Sequence, residues 1–405
     1  MSFDAAALRA EFPIFTRQTA PLHYLDNAAT SQVHGSVLEA MLVHETTSRA
    51  NVMRGSHRLA EAATEAYEGA RAEVARFLNA AGSDEVIFTA GATASLNLAA
   101  YAIGATLRPG DEILVSLAEH HSNLVPWQML RERTGIDLKF VPLTPAGEID
   151  TAALPALVTG RCRLIALTHA SNVTGAVTDV AAVVAAARAA GARVLLDGAQ
   201  RAQHGPVDVQ ALGVDFYAFS GHKCYGPGGV GVLWGKRDLL AALPPFLGGG
   251  GMVGRVESQT STFTPAPRRF EAGTPPIAAA VGLGAALKWM GSLPWAAIRA
   301  HERELLRRLQ AGLGNLPGLR LLGRADDLDR LPVVSFDIAG LHPHDVCQVL
   351  DRHGVALRGG HHCAQPLMRH FGVDAASRAS LAPYSTAADI DALLGALDDA
   401  IALLS

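Results

Sequence analysis

Arg193-Val194-Leu195-Leu196-Asp197-Gly198-Ala199-Gln200 and, further along, Phe219-Ser220-Gly221-His222-Lys223 decide the reading of this chain. In each stretch an apolar run with the pattern of a buried strand gives way to a polar turn. The first turn carries an acid, Asp197, and the second an amine, Lys223. An amine can hold an aldehyde cofactor as a Schiff base, and an acid can pair with a pyridinium nitrogen and keep the ring an electron sink. That is the layout of a pyridoxal phosphate (PLP) site. Taken singly, Lys223 also reads as a solvated surface lysine and Asp197 as a helix N-cap; the pair favours the site.

Composition frames that site. A chain of 405 residues exceeds the usual size of one compact core and suggests two or three domains. With 49% hydrophobic and 18% charged residues there is ample material for a core. The net charge is −4, and no basic run is interleaved with aromatics. Nucleic acid is therefore not an expected partner, and the substrate is expected to be small. Residues 1–12 read as an amphipathic helix rather than a cleavable signal. No apolar stretch reaches the ~20 residues that span a bilayer, so a cytoplasmic enzyme is expected. Cys162, Cys224, Cys347 and Cys363 show neither CxxC pairs nor a disulfide spacing and read as thiols.

Strand-like runs at 86–89, 113–117, 138–141, 164–168, 194–197, 215–219 and 230–234 are separated by Ala-rich helical segments such as 178–190. This alternation predicts an α/β fold with a mostly parallel sheet covered on both faces. In such sheets ligands bind beyond the carboxyl ends of the strands. Thr93, His120, Asn172, Asp197 and Ser220 all fall there, which gathers them into one crevice. After Thr274 the pattern changes: Pro275-Pro276 breaks the chain, helical segments follow at 277–290 and 296–313, and a strand is expected at 333–338. A smaller α/β domain is expected here. Gly248-Gly249-Gly250-Gly251 reads as a loop and, without a following Lys-Ser/Thr, is weak evidence for phosphate binding.

Asp197-Gly198-Ala199-Gln200 with Ser220-Gly221-His222-Lys223 resembles the class V aminotransferase family of fold-type I PLP enzymes. The resemblance implies a large PLP-binding domain over 26–276, holding a mostly parallel seven-stranded sheet. It also implies a small domain made of 1–25 and 277–405. Gly91-Ala92-Thr93 is similar to the family's Gly-Thr-Thr turn and places Thr93 at the cofactor phosphate; Ala92 and Ala90 replace a usual Thr and Arg, so one donor and one charge are missing. Thr93 is otherwise an ordinary N-cap. Ser220 and His222 would add phosphate donors, and Gly273-Thr274 would reach the phosphate from a neighbouring subunit, which implies a homodimer. By resemblance His120 stacks on the ring and takes part in proton movement, while His121 has no assigned role. Adjacent histidines could also suggest a metal, but no carboxylate or Cys is spaced to join them and no metal is expected. Gln200 is expected at the phenolate oxygen, and Asn172 near that oxygen and the substrate carboxylate; either could instead be a turn residue.

The chemistry is decided by Arg358-Gly359-Gly360-His361-His362-Cys363-Ala364-Gln365-Pro366-Leu367. A Cys after two His and near an Arg sits in an electropositive setting that favours the thiolate. The alternative, a small buried apolar residue, is the commoner fate of a free Cys, and the Gly-rich polar loop argues against it. Arg378 follows, and its planar fork suits an amino-acid carboxylate. Over nearly the whole chain these residues resemble the group II cysteine desulfurases, the CsdA and SufS type. That implies L-cysteine, or selenocysteine, as substrate and Lys223, Cys363 and His120 as catalytic groups. It places Arg378, Arg358 and Asn172 at the substrate carboxylate and calls for a SufE/CsdE-like acceptor protein. Departures are Cys224 for a usual Leu, Pro276 for Asn and Gly359 for a common Thr. Other readings are selenocysteine lyase, an aminotransferase- or epimerase-like PLP enzyme, and a slow sulfur-carrier scaffold.

Overall fold

The computed structural model describes residues 3–53, 55–325 and 330–404. Its centre is a seven-stranded sheet: β1 Val86–Thr89, β2 Glu112–Ser116, β3 Asp137–Val141, β4 Cys162–Thr168, β5 Arg193–Asp197, β6 Phe216–Ser220 and β7 Gly231–Gly235. The spatial order is β3-β2-β4-β5-β6-β7-β1. All neighbours run parallel except β7, which is antiparallel to both β6 and β1. The seven expected strands are present, with ends shifted by a residue at most positions.

Alternation along these strands explains why both faces are covered. Leu114, Ile165, Leu167, Val194, Leu196, Tyr217 and Phe219 enter one core with helices Arg58–Phe77, Val180–Ala189 and Ile277–Gly291. Their neighbours Ile113, Val115, Leu164, Ala166, Leu195, Phe216 and Ala218 enter a second core with helices Ala92–Gly104 and Val125–Thr134. A strand apolar on both faces has to be sandwiched, because each exposed Leu or Ile side chain would forfeit roughly 1.5–3 kcal/mol of burial. Register then aligns the strand ends: Thr168 pairs with Asp197, and Asp197 with Ala218. The acid and the turn carrying Lys223 thus emerge side by side at one edge.

A second sheet, wholly antiparallel, contains β8 Leu319–Leu322, β9 Val333–Ile338, β10 Arg358–Gly360 and β11 Ala376–Ser380 in the order β8-β9-β11-β10. Helices Trp295–Gly314, Pro343–Arg352 and Ala387–Leu404 cover it through Leu305, Leu309, Val346, Leu350, Leu393 and Leu397. The expected N-terminal helix is two short ones, Ala5–Ala10 and Pro13–Arg17. The Asp4 carboxylate caps the first by accepting from the N–H groups of Ala6 and Ala7. His23–Tyr24 then pairs with Val355–Ala356 in a separate two-stranded sheet, and Asp26 bridges to Ser380 of β11, so the N-terminal segment is stitched to the second sheet there. Among the described residues no single helix is long and apolar enough to cross a membrane.

Candidate active site

A cavity of about 650 Å³ opens between the two sheets, and all but two of the candidate catalytic, cofactor and substrate residues line it: Gln200 sits with Asp197, His120 and Lys223, while Arg378 and Cys363 close the other side. The exceptions are Gly273 and Thr274, which do not line the cavity of a single chain; Cys224, one of the departures from the family pattern, is buried in the core beside Lys223. The Lys223 amine lies in a setting where burial lowers its pKa to about 8, against the pull of Asp197. Burial raises the Asp197 carboxyl in turn, while the Ala199 N–H bond, 3.0 Å to Oδ1, and the Lys223 charge pull it down. A desolvated amine opposite a desolvated acid is what a cofactor with one aldehyde and one basic ring nitrogen would neutralise.

The phosphate end is built from backbone geometry as much as from side chains. Gly91 has φ +146°, and a Cβ on Gly231 would meet the Gly91 Cα at 2.4 Å, so the strand crosses the turn at a distance only glycine allows. The turn opens directly into helix Ala92–Gly104, whose first N–H groups and dipole favour an anion. Gly91, not Thr93, is the N-cap. Thr93 lies inside the first turn, with Oγ1 2.7 Å from Ser122 Oγ, and Ser220 Oγ accepts the Ala92 N–H at 2.8 Å. His222 Nδ1 is 3.2 Å from Thr30 Oγ1. Ser122 and Thr30 also line the cavity; neither was singled out in the sequence, because their donors become neighbours of Thr93 and His222 only in the fold.

His120 is mostly buried, and burial next to Lys223 pushes its pKa down to about 3. It is therefore a neutral ring at ordinary pH. Its Nδ1 accepts the Ser122 N–H at 3.1 Å, which leaves the proton on Nε2. Gln200 donates Nε2–H to the Ala28 carbonyl at 2.8 Å, while its buried Oε1 has no hydrogen-bond partner. A buried oxygen without a donor is costly unless a ligand supplies one. These features fit PLP: an amine for the aldehyde, an acid for the ring nitrogen, and a donor-lined helix start for the phosphate. Among the described residues no group of three or more His, Cys, Asp or Glu could hold a metal ion.

Across the cavity, Arg378 has a side chain only 3% exposed. Its Nη2 donates to Asp26 Oδ1 at 3.0 Å and its Nη1 to the Asn172 carbonyl at 3.1 Å, and its buried Nε has no partner. Arg358 faces Asp26 from 3.6 Å with a half-exposed side chain. Asp26 therefore sets the direction of both guanidinium groups. Nothing local marks Asp26 in the sequence, because its contact with Arg378 joins positions at opposite ends of the chain.

Cys363 sits at the cavity mouth, half-buried. His362 and Cys363 have φ +52° and +53°, a left-handed pair that costs non-glycine residues about 1–3 kcal/mol each. The loop is held in that shape from the large sheet's side. The His121 N–H donates to the Cys363 carbonyl at 2.7 Å, and Asn172 Nδ2 donates to the His362 carbonyl at 2.7 Å. The Gln365 N–H reaches His121 Nε2 at 3.3 Å. His121, without a role in the sequence reading, is thus one of the two residues that pin the loop. One expectation needs correcting. Burial and the Arg378 charge push His362 down to about 3, so it brings no positive charge to the thiol. Cys363 interacts electrostatically with Lys223 and Arg378. Sequence proximity placed a charge on His362 that burial removes.

With fold and site in view, similarity to known proteins can be placed. The family model described as aminotransferase class-V matches residues 23–393. A probable cysteine desulfurase of Streptomyces coelicolor is 47% identical over 403 residues, spanning 98% of this chain and 96% of the relative. The crystal structure of the cysteine desulfurase CsdA of Escherichia coli, in its S-sulfonic acid form, is similar at TM-score 0.93 and 43% identity over 100% of both chains. A C-DES variant with glycine covalently linked to its PLP cofactor is similar at TM-score 0.81 and 25% identity, over 96% of this chain and 99% of that one. The chain belongs to the class-V aminotransferase family of PLP-dependent enzymes and, within it, to the cysteine desulfurases.

Proposed function

We propose that this protein is an L-cysteine desulfurase that moves the substrate sulfur onto Cys363, releases L-alanine, and hands the sulfur to a SufE/CsdE-like acceptor protein. The observation that carries this reading is a single cavity with Lys223 and Asp197 at its base, Arg378 on its wall and a thiol, Cys363, at its mouth. Lys223 Nζ would hold the cofactor aldehyde and Asp197 the ring nitrogen. Thr93, Ser220 and His222 would hold the phosphate, and Gln200 and Asn172 the phenolate side. PLP, when bound, supplies an electron sink for the pair left as the Cα proton departs.

This chain's own groups do the rest. The Arg378 fork, helped by Arg358 and Asn172, binds the substrate carboxylate and turns the side chain toward Cys363. Lys223 Nζ, with a pKa near 8, can take the Cα proton near neutral pH. Neutral His120 would face the cofactor ring and offer Nε2–H. The Cys363 thiolate attacks the substrate sulfur: an S–S bond forms as the Cβ–S bond breaks, the bonding pair goes to carbon, and a proton at Cβ together with return of a proton from Lys223 to Cα completes alanine. Cys363 is left as a persulfide, and a thiol of the acceptor takes the outer sulfur.

A second copy of the chain completes the site in this reading. Gly273 and Thr274 lie outside the single-chain cavity, and Leu42 at 64% and Val43 at 50% exposure offer an apolar face on helix Gly35–Thr47. A homodimer in which Gly273-Thr274 reaches the partner's phosphate accounts for both. Work in a reducing, cytoplasmic setting suits the four free thiols. The test is to incubate holoenzyme with L-cysteine, a reductant and a candidate acceptor, and to quantify alanine and sulfide. Equal amounts of both are expected. Transamination would give no sulfide, a scaffold little of either, and a parallel arm with selenocysteine tests lyase preference.

A further inference from the structure

Glu119, next to His120, is a fully buried carboxyl with 0% exposure, and it sits in a closed set of hydrogen bonds that the reaction outlined above does not use. Ser116 Oγ lies 2.6 Å from Oε1, and Asn123 Nδ2 donates to Oε2 at 2.7 Å. The Thr168 backbone adds a further bond. Asn123 is fixed in turn, because Trp127 Nε1 donates to its Oδ1 at 3.1 Å and its own N–H donates to the His120 carbonyl at 2.8 Å. One carboxyl therefore ties the end of β2, through Ser116, to both sides of the turn that carries His120, and to the end of β4, through Thr168. Thr168 is the register partner of Asp197, and Asp197 is the titratable group facing Glu119.

We propose that Glu119 is the positioning residue that fixes the His120 ring over the cofactor cavity, acting as an acid rather than as a second carboxylate beside Asp197. The inference rests on the roles given above to His120 and Asp197. Burial and the neighbouring charge favour the neutral form. Burial and the Asp197 charge push the carboxyl up to about 8, against the hydrogen bonds that pull it down. A second buried carboxylate beside Asp197 would have no cation of its own. The Ser116 hydroxyl accepts the Ala118 N–H at 3.1 Å and donates to Oε1 at 2.6 Å; by rotating it can instead accept the proton of a neutral acid.

The neutral form has a close mimic. In Glu119→Gln an amide N–H takes the place of the acid O–H toward Ser116, and the amide oxygen keeps the bond from Asn123. In Glu119→Ala the turn loses its anchor. With PLP-loaded enzyme, Glu119→Gln is expected to hold kcat within about threefold of wild type, whereas Glu119→Ala should lose about tenfold or more in kcat with KM for cysteine little changed, since Arg378 is untouched. The second readout needs no turnover: the absorbance of the bound cofactor between pH 7 and 9. Wild type should show a change in that window as Glu119 ionises, and Glu119→Gln should lack it. Loss of kcat in Glu119→Gln as deep as in Glu119→Ala would overturn the proposal, as would an absorbance titration identical in wild type and Glu119→Gln. Should Glu119→Ala not fold, the absorbance comparison still decides. A wild-type enzyme with no desulfurase activity would sink the functional reading and leave that spectral test standing.

Discussion

The two sides of the cavity are built on opposite plans. Asp197 and the turn bearing Lys223 grow from adjacent parallel strands, locked in register and sandwiched between two cores. Cys363 stands beyond a three-residue edge strand of glycine and arginine, on two left-handed residues pinned by a few bonds from His121 and Asn172. The base has rigid desolvation, which brings an amine to about 8 and a histidine to about 3. The mouth has access. Cofactor chemistry needs groups whose protonation is set before substrate arrives, whereas a thiol that must later meet an acceptor cannot be sealed in a core. The strain at His362 and Cys363 is held by contacts that reach across from the rigid side.

Breaking the base should have the largest effect. In the proposed mechanism Lys223→Ala removes both the covalent anchor and the proton acceptor, so turnover should fall by about a thousandfold or more. The borohydride-reducible link to PLP should vanish, as mass spectrometry of the reduced protein would show. A link persisting on another lysine would mean that the base has been assigned to the wrong amine. Next comes the wall between the two sides. Arg378→Lys keeps the charge but loses the fork shared among Asp26, Asn172 and substrate, and the expected cost in kcat/KM for cysteine is about 1.5–3 kcal/mol with PLP still bound. An unchanged kcat/KM would remove Arg378 from the substrate site.

The subtlest test concerns protonation at the base. An amine captures an aldehyde only when neutral, and burial lowers Lys223 to about 8. The rate at which PLP-free protein captures PLP should therefore rise with pH through a midpoint near 8, well below the ordinary lysine value. A midpoint near 10 would show that the base is wetter than its burial implies.

How much of this was legible in the sequence follows the same division. Asp197, Lys223, Thr93 and Ser220 could be read because they lie at or within a few residues of the ends of strand-like runs, and a shift of a residue or two in those ends leaves them at the same edge of the sheet. Cys363 and Arg378 were legible from residue type and from likeness to a family, not from periodicity; the Gly-rich edge strand Arg358–Gly360 gave no strand signal at all. What stayed hidden depends on contacts distant in sequence or on burial. Asp26 meets Arg378 from the other end of the chain. Ser122 joins Thr93 only once two turns are brought together. His362 looked like a positive charge beside the thiol, and burial makes it a neutral ring.

The measurement that bears most directly on the division between base and mouth is a cysteine pulse on Cys363→Ala, followed by sulfide assay and peptide mass spectrometry alongside wild type. Wild type is expected to carry one extra sulfur on the peptide containing Cys363. The variant should bind PLP with an unaltered spectrum, accept cysteine at Lys223's end of the cavity, and release almost no sulfide. Buried Cys162 and Cys224, and half-buried Cys347, should stay unmodified in both. Full sulfide release from Cys363→Ala, or an extra sulfur on Cys224 rather than Cys363, would contradict the account.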